Sequence, residues 1–83
     1  MIDVRTAEEW DTGHAAHAVH FPLDRIMAGE IPPMPDGGSV YLYCRSGGRS
    51  DVAKMILVRA GTSRIVNLGG LHDWEAMGGT VER

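Results

Sequence analysis

The run Val40-Tyr41-Leu42-Tyr43 passes through Cys44-Arg45-Ser46-Gly47-Gly48-Arg49-Ser50 into the segment Asp51 to Ala60, and this junction constrains the fold more than any other feature. Four apolar or aromatic residues in succession suit a strand covered on both faces, as a parallel sheet requires. Val52, Ala53, Met55, Ile56, Leu57 and Ala60 then predict a helix with a broad apolar face, starting at Ser50 or Asp51. Gly61 ends it as the C′ residue. A strand feeding a helix through so short a loop is a building unit of an α/β sheet.

The rest of the chain repeats the pattern. Ile2 to Val4 reads as a short buried strand, and Thr6 with Glu9 three residues on reads as a capping box for a helix ending near Gly13. Ala18 to Phe21 is a second short strand closed by Pro22, and Leu23 to Ala28 one or two helical turns before Gly29. Glu30 to Gly38, with three prolines and two glycines, is a loop. Arg64 to Leu68 reads as another strand and Leu71 to Met77 as the last helix. Strands alternating with helices predict an α/β fold, a small open parallel β-sheet flanked by helices on both faces, in one domain over residues 1–83. Ligands of such sheets bind beyond the carboxyl ends of the strands, where Cys44 falls.

Cys44 is the only cysteine, and one cysteine excludes an intramolecular disulfide. A lone cysteine after a strand is most often a small buried hydrophobe. Two glycines flanked by arginines just before a helix have no such packing reason. Gly47 and Gly48 let the chain curl so that backbone N–H groups and the positive helix end surround the sulfur, and Arg45 and Arg49 add fixed charge. A thiol so placed ionises more readily than a free one. Ser46 and Ser50 are further candidate donors, with Ser50 alternatively the helix cap. Arg49 is read equally as an anion ligand or a salt-bridged loop residue. A phosphate-binding loop fits poorly, since the Gly-Lys-Ser/Thr ending is missing.

The chain resembles a single-domain rhodanese, a sulfurtransferase module that carries sulfur as a cysteine persulfide. Four ordered segments carry the resemblance: Ile2-Asp3-Val4-Arg5 with Glu8-Glu9-Trp10; Gly13-His14 through Ala18-Val19-His20-Phe21-Pro22; Val40 to Ser50; and Asn67-Leu68-Gly69-Gly70 with Trp74 and Gly78-Gly79-Thr80-Val81. Ala16 and His17 stand where the family usually has Pro and Gly, and the Asp-Val-Arg segment is not preceded by the usual strand or helix. In length the chain is similar to the family's small periplasmic members.

The resemblance implies thiosulfate sulfurtransferase activity. Cys44 would take a sulfane sulfur from thiosulfate or a persulfide donor and pass it to cyanide, a thiol or an acceptor protein. Arg45, Ser46, Gly47, Gly48, Arg49 and Ser50 would bind the substrate anion and the persulfide, with no cofactor. Asp3 and Arg5 are read as structural, and Trp74 as core or pocket rim. His14, His17 and His20 have a spacing that invites a metal, but Gly13 and the strand at Ala18 break the helix this would need, so no metal is expected.

Two rivals remain, a phosphatase or arsenate reductase and a non-enzymatic binding module. Cysteine-dependent phosphatases of related fold place five residues between Cys and Arg. Four stand between Cys44 and Arg49, which favours sulfur over phosphate. Binding modules generally lose the cysteine. The net charge of −3 gives no reason to expect nucleic acid or a membrane surface. No long apolar stripe demands a partner, so a monomer is expected. The compartment reads as cytoplasmic as the chain is written, and as periplasmic if a leader was removed.

Overall fold

The computed structural model describes residues 1–33, 39–45, 47–62 and 64–83. Part of the loop expected over Glu30 to Gly38, and Ser46 of the cysteine loop, lie outside them. Four strands, β1 (Ile2–Asp3), β3 (Val19–His20), β4 (Val40–Cys44) and β5 (Ile65–Gly70), form a parallel sheet in the order β3-β1-β4-β5. Between them run α1 (Ala7–Thr12), α2 (Leu23–Met27) and α3 (Gly48–Arg59), and α4 (Leu71–Ala76) follows β5. The expected open parallel sheet flanked by helices is the architecture observed.

Alternation along the strands sorts the side chains. Ile2, Val4, Val40, Leu42 and Cys44 join Ile26 of α2 and Ala53 and Leu57 of α3 in one core with Phe21 and Ile65. Asp3 and Tyr43 take the opposite parity, and the Tyr43 hydroxyl accepts the Ala15 N–H there at 3.0 Å. Ala15 belongs to a feature the sequence did not suggest. β2 (His14–Ala15) pairs antiparallel with β6 (Val81–Glu82), tying the chain end to the middle of the fold. His14 is therefore a strand residue. Two-residue strands carry no periodicity that a sequence pattern could reveal.

Capping follows the sequence closely. Thr6 and Glu9 form the reciprocal capping box of α1. At the end of α3, Gly61 lies at φ 100° with its N–H donating to Val58, while Thr62 donates to Leu57, the pair of bonds of a Schellman motif. The start of α3 departs from expectation. Helix geometry begins at Gly48, with Gly47 as N-cap at φ 99°, so Ser50 is inside the first turn and is not the cap. The broad apolar face is also narrower than expected: Ser50, Ala53 and Leu57 are buried, whereas Val52 (42%) and Met55 (52%) are exposed. Tyr41 likewise leaves 42% of its surface open, so β4 is not covered fully on both faces. At the turn before β3, His17 adopts φ 64°, the left-handed region where the family's usual glycine would be unstrained.

Candidate active site

The site is built on the C-terminal ends of β1, β4 and β5. Asp3, fully buried at the end of β1, is held by Arg5, whose Nε and Nη2 donate to its carboxylate at 2.8–3.1 Å. Asp3 also accepts the Tyr43 hydroxyl at 2.6 Å, and Arg5 donates onward to the Gly13 carbonyl at 2.5 Å. Burial works against the charge of Arg5, but the hydrogen bonds and charge of Asp3 outweigh it and raise the guanidinium pKa. Burial, reinforced by Asp3, also pushes the Tyr43 phenol well up. This closed network fixes the strand ends beneath the cysteine loop. It assigns Asp3 and Arg5 the structural role expected of them.

Cys44 is the last residue of β4, and strand parity turns its buried side chain toward α3. The Gly47 N–H donates to Sγ at 2.9 Å. The left-handed conformation of Gly47 directs that N–H back at the sulfur, and a Cβ there would meet the Gly69 Cα at 3.2 Å. The sulfur thus lies against a backbone donor at the amino end of a twelve-residue helix, where the helix dipole favours negative charge. Ser50 Oγ is 3.6 Å from Sγ.

The two loop arginines part ways. Arg49 Nη1 and Nη2 reach Oε1 and Oε2 of Glu9 at 2.5 and 2.8 Å, latching α3 to α1. That pairing raises the Arg49 pKa and, against burial, holds the Glu9 carboxyl down at about 2. Arg45 is exposed and lines an open groove with Arg5, Glu8, Glu9 and Thr12, on the α1 side of the loop. Gly48 faces open space.

The structure therefore gathers Cys44, Gly47, Gly48, Arg49 and Ser50 at one strand–helix junction with Arg45 at its rim, while Ser46 lies outside the described residues. His14 and His20 are engaged elsewhere, both stacked on Trp10 at centroid distances of 3.6 and 4.9 Å. Among the described residues no cluster of His, Cys, Asp and Glu is arranged to hold a metal, and no helix is long and apolar enough to cross a membrane. Two site residues escaped the sequence reading. Glu9 reads in the sequence as a cap and as part of the first family-like segment, with nothing to mark Arg49 as its partner. Asn67 was seen only as part of a signature, yet its Nδ2 donates to the Gly47 carbonyl at 3.0 Å and its Oδ1 takes the Ser50 hydroxyl at 2.6 Å.

Comparison with known proteins points to one family. A family model described as a rhodanese-like domain matches residues 1–77. Thiosulfate sulfurtransferase PspE of Escherichia coli is 36% identical over 73 residues, which cover 87% of this chain and 70% of that protein. The putative sulfur carrier protein YrkF of Bacillus subtilis is 31% identical over 75 residues, 89% of this chain but only 40% of YrkF. Among solved structures, a rhodanese-like domain from Anabaena sp. superposes with a TM-score of 0.84 at 26% identity, over 99% of this chain and 95% of that one. The structure of a rhodanese with anions from E. coli gives 0.72 at 36% identity, over 87% and 86% of the respective chains.

Proposed function

This chain belongs to the rhodanese-like domain family, and on that premise we propose that it is a thiosulfate or persulfide sulfurtransferase working through a Cys44 persulfide. The Cys44 thiolate attacks the sulfane sulfur of the donor. The new S–S bond forms as the donor's own S–S bond breaks, and sulfite or a thiolate leaves with the electron pair. An incoming cyanide or thiolate then attacks the terminal sulfur of the persulfide, giving thiocyanate or an acceptor persulfide and returning the Cys44 thiolate. The sequence is ping-pong covalent catalysis with no net oxidant.

The observation that carries this reading is the Gly47 N–H aimed at Sγ from the start of α3. The same curled backbone offers its donors to the extra sulfur's negative charge, as an oxyanion hole does to oxygen, where one donor is worth roughly 3 kcal/mol of barrier. Cys44 itself is buried, so the sulfur it carries, rather than Sγ, is the atom offered to an acceptor. Arg45 at the open groove suits the sulfonate end of thiosulfate. The likeness to PspE, a thiosulfate sulfurtransferase, and to the E. coli rhodanese with anions supports an anionic sulfur donor. YrkF, a putative sulfur carrier, supports a thiol or protein acceptor.

The test is sulfite and thiocyanate formation from thiosulfate and cyanide, beside phosphate release from an aryl phosphate. The unchanged chain should gain the mass of one sulfur atom with thiosulfate and lose it to cyanide, and Cys44→Ser should do neither. Phosphate release without sulfur transfer would reverse the assignment, and no adduct with any donor would leave a binding module.

A further inference from the structure

Asn67 lies opposite Leu42 on β5, and the pairing register then slips, so that Cys44 is opposite Gly70. The slip falls at Gly69, whose φ of 94° bends the strand as a bulge does. Parity with Leu42 turns the Asn67 side chain toward the first turn of α3. Its amide orientation is dictated by two backbone groups of opposite polarity. The Gly69 N–H can only donate, and it meets Oδ1 at 2.8 Å; the Gly47 carbonyl can only accept, and it meets Nδ2 at 3.0 Å.

The single proton of Ser50 can then be followed. The Gly47 carbonyl already accepts from Asp51 N–H and Asn67 Nδ2, both at 3.0 Å, which uses its two lone pairs. Its 3.1 Å approach to Ser50 Oγ therefore needs no proton. Asn67 Oδ1, which cannot donate, lies 2.6 Å from Ser50 Oγ, whereas Cys44 Sγ is 3.6 Å away. The proton belongs on the short contact to Asn67.

We propose that Asn67 is a positioning residue that holds the Ser50 proton away from Cys44, so that Ser50 turns lone pairs to the sulfur while Asn67 fixes the Gly47 peptide whose N–H meets it. Ser50 then accepts from a thiol and gives nothing to a thiolate, and negative sulfur is served by the backbone. The bearing on catalysis rests on the sulfurtransferase reading, but the hydrogen-bond network stands apart from it.

Alkylation of Cys44 by iodoacetamide as a function of pH tests the network without any sulfur donor. Below the thiol pKa the thiolate fraction falls tenfold for each unit by which that pKa rises, and the rate falls with it, less the accompanying gain in nucleophilicity. Ser50→Ala in the otherwise unchanged chain should leave the rate at pH 6 within threefold, or faster. In an Asn67→Leu background the Ser50 hydroxyl and one Gly47 carbonyl lone pair are both released, and a charged sulfur competes with that neutral carbonyl for the proton through the stronger, charge-assisted bond. Adding Ser50→Ala should then slow alkylation by more than threefold. Thermal unfolding checks that each variant is folded, and Asn67→Ala replaces Asn67→Leu if the latter is not. A loss of more than threefold in Ser50→Ala alone, or the same Ser50→Ala effect in both backgrounds, overturns the proposal. The Ser50→Ala arm decides even if every Asn67 variant fails to fold. Failure of sulfur transfer by the unchanged chain would instead strike the proposed function.

Discussion

Arg49 sends both of its terminal nitrogens to the Glu9 carboxylate, so the second arginine of the cysteine loop joins α3 to α1. A glutamate that caps one helix thereby restrains the start of another. Nothing in the loop's own sequence distinguishes such an arginine from an anion ligand, because the deciding partner is forty residues away.

The latch has a pH signature. Glu9 is held at about 2 from 4.5, chiefly by the Arg49 hydrogen bonds. A carboxylate whose pKa is depressed on folding contributes fully above its unfolded value and loses that contribution as pH falls through the folded one. Because the pair is partly exposed, Glu9→Gln should cost only about 1 kcal/mol near neutrality. Urea unfolding of both chains should show a constant difference from pH 7 to 5 that declines between 4.5 and 2. A difference undiminished at pH 2 would mean that the hydrogen bonds of the Thr6 cap, and not the charge, carry the effect.

In the proposed reaction Arg45 is the loop arginine that meets the anion. Arg45→Ala should raise KM for thiosulfate roughly fivefold, as loss of an exposed charge contact of about 1 kcal/mol implies. It should leave kcat and the use of an uncharged persulfide donor nearly unchanged, since uniform binding appears in KM. An equal loss with charged and uncharged donors would assign Arg45 to the loop's shape instead.

The sequence and the structure agree wherever local rules decide. The Thr6–Glu9 capping box and the Gly61 terminus follow from residues close in the chain and appear as read, as does the succession of strand and helix on either side of the cysteine loop, though not the helix's first residue. What was hidden depends on distant pairing. The β2–β6 ribbon joins His14–Ala15 to Val81–Glu82, and neither segment is long enough to show alternation. Asn67 reaches Ser50 because its pairing opposite Leu42 turns it toward α3. The early start of α3 at Gly48 has the same kind of cause, since Asn67 Nδ2 holds the carbonyl of Gly47 that begins the helix.

Tyr43 tests the frame beneath the loop. Its hydroxyl donates to Asp3 and accepts from the Ala15 N–H, so it joins the parallel sheet to the ribbon. Tyr43→Phe leaves the Ala15 N–H buried without that partner and should cost about 1–3 kcal/mol. Asp3 keeps Arg5, so the remaining folded protein should alkylate at Cys44 at the rate of the unchanged chain. A matching drop in alkylation would show that the frame sets the sulfur's environment directly.

Gly47 is where backbone geometry and chemistry meet most tightly. At φ 99° a side chain is strained by roughly 1–2 kcal/mol, and the Cβ of Gly47→Ala would press the Gly69 Cα at 3.2 Å. Backbone cannot yield as a flexible side chain does. The loop must either carry the strain or rotate the peptide, and rotation turns the N–H away from Sγ. Gly48→Ala is the control, since its Cβ meets nothing within 4 Å. Gly47→Ala should lower both stability and the alkylation rate at pH 6, the latter by roughly tenfold or more if a donor worth about 1.5 kcal/mol or more is lost from the thiolate. Gly48→Ala should change neither beyond about twofold. A Gly47→Ala protein that is destabilised yet alkylates normally would remove the Gly47 N–H from the account of how this loop holds negative sulfur.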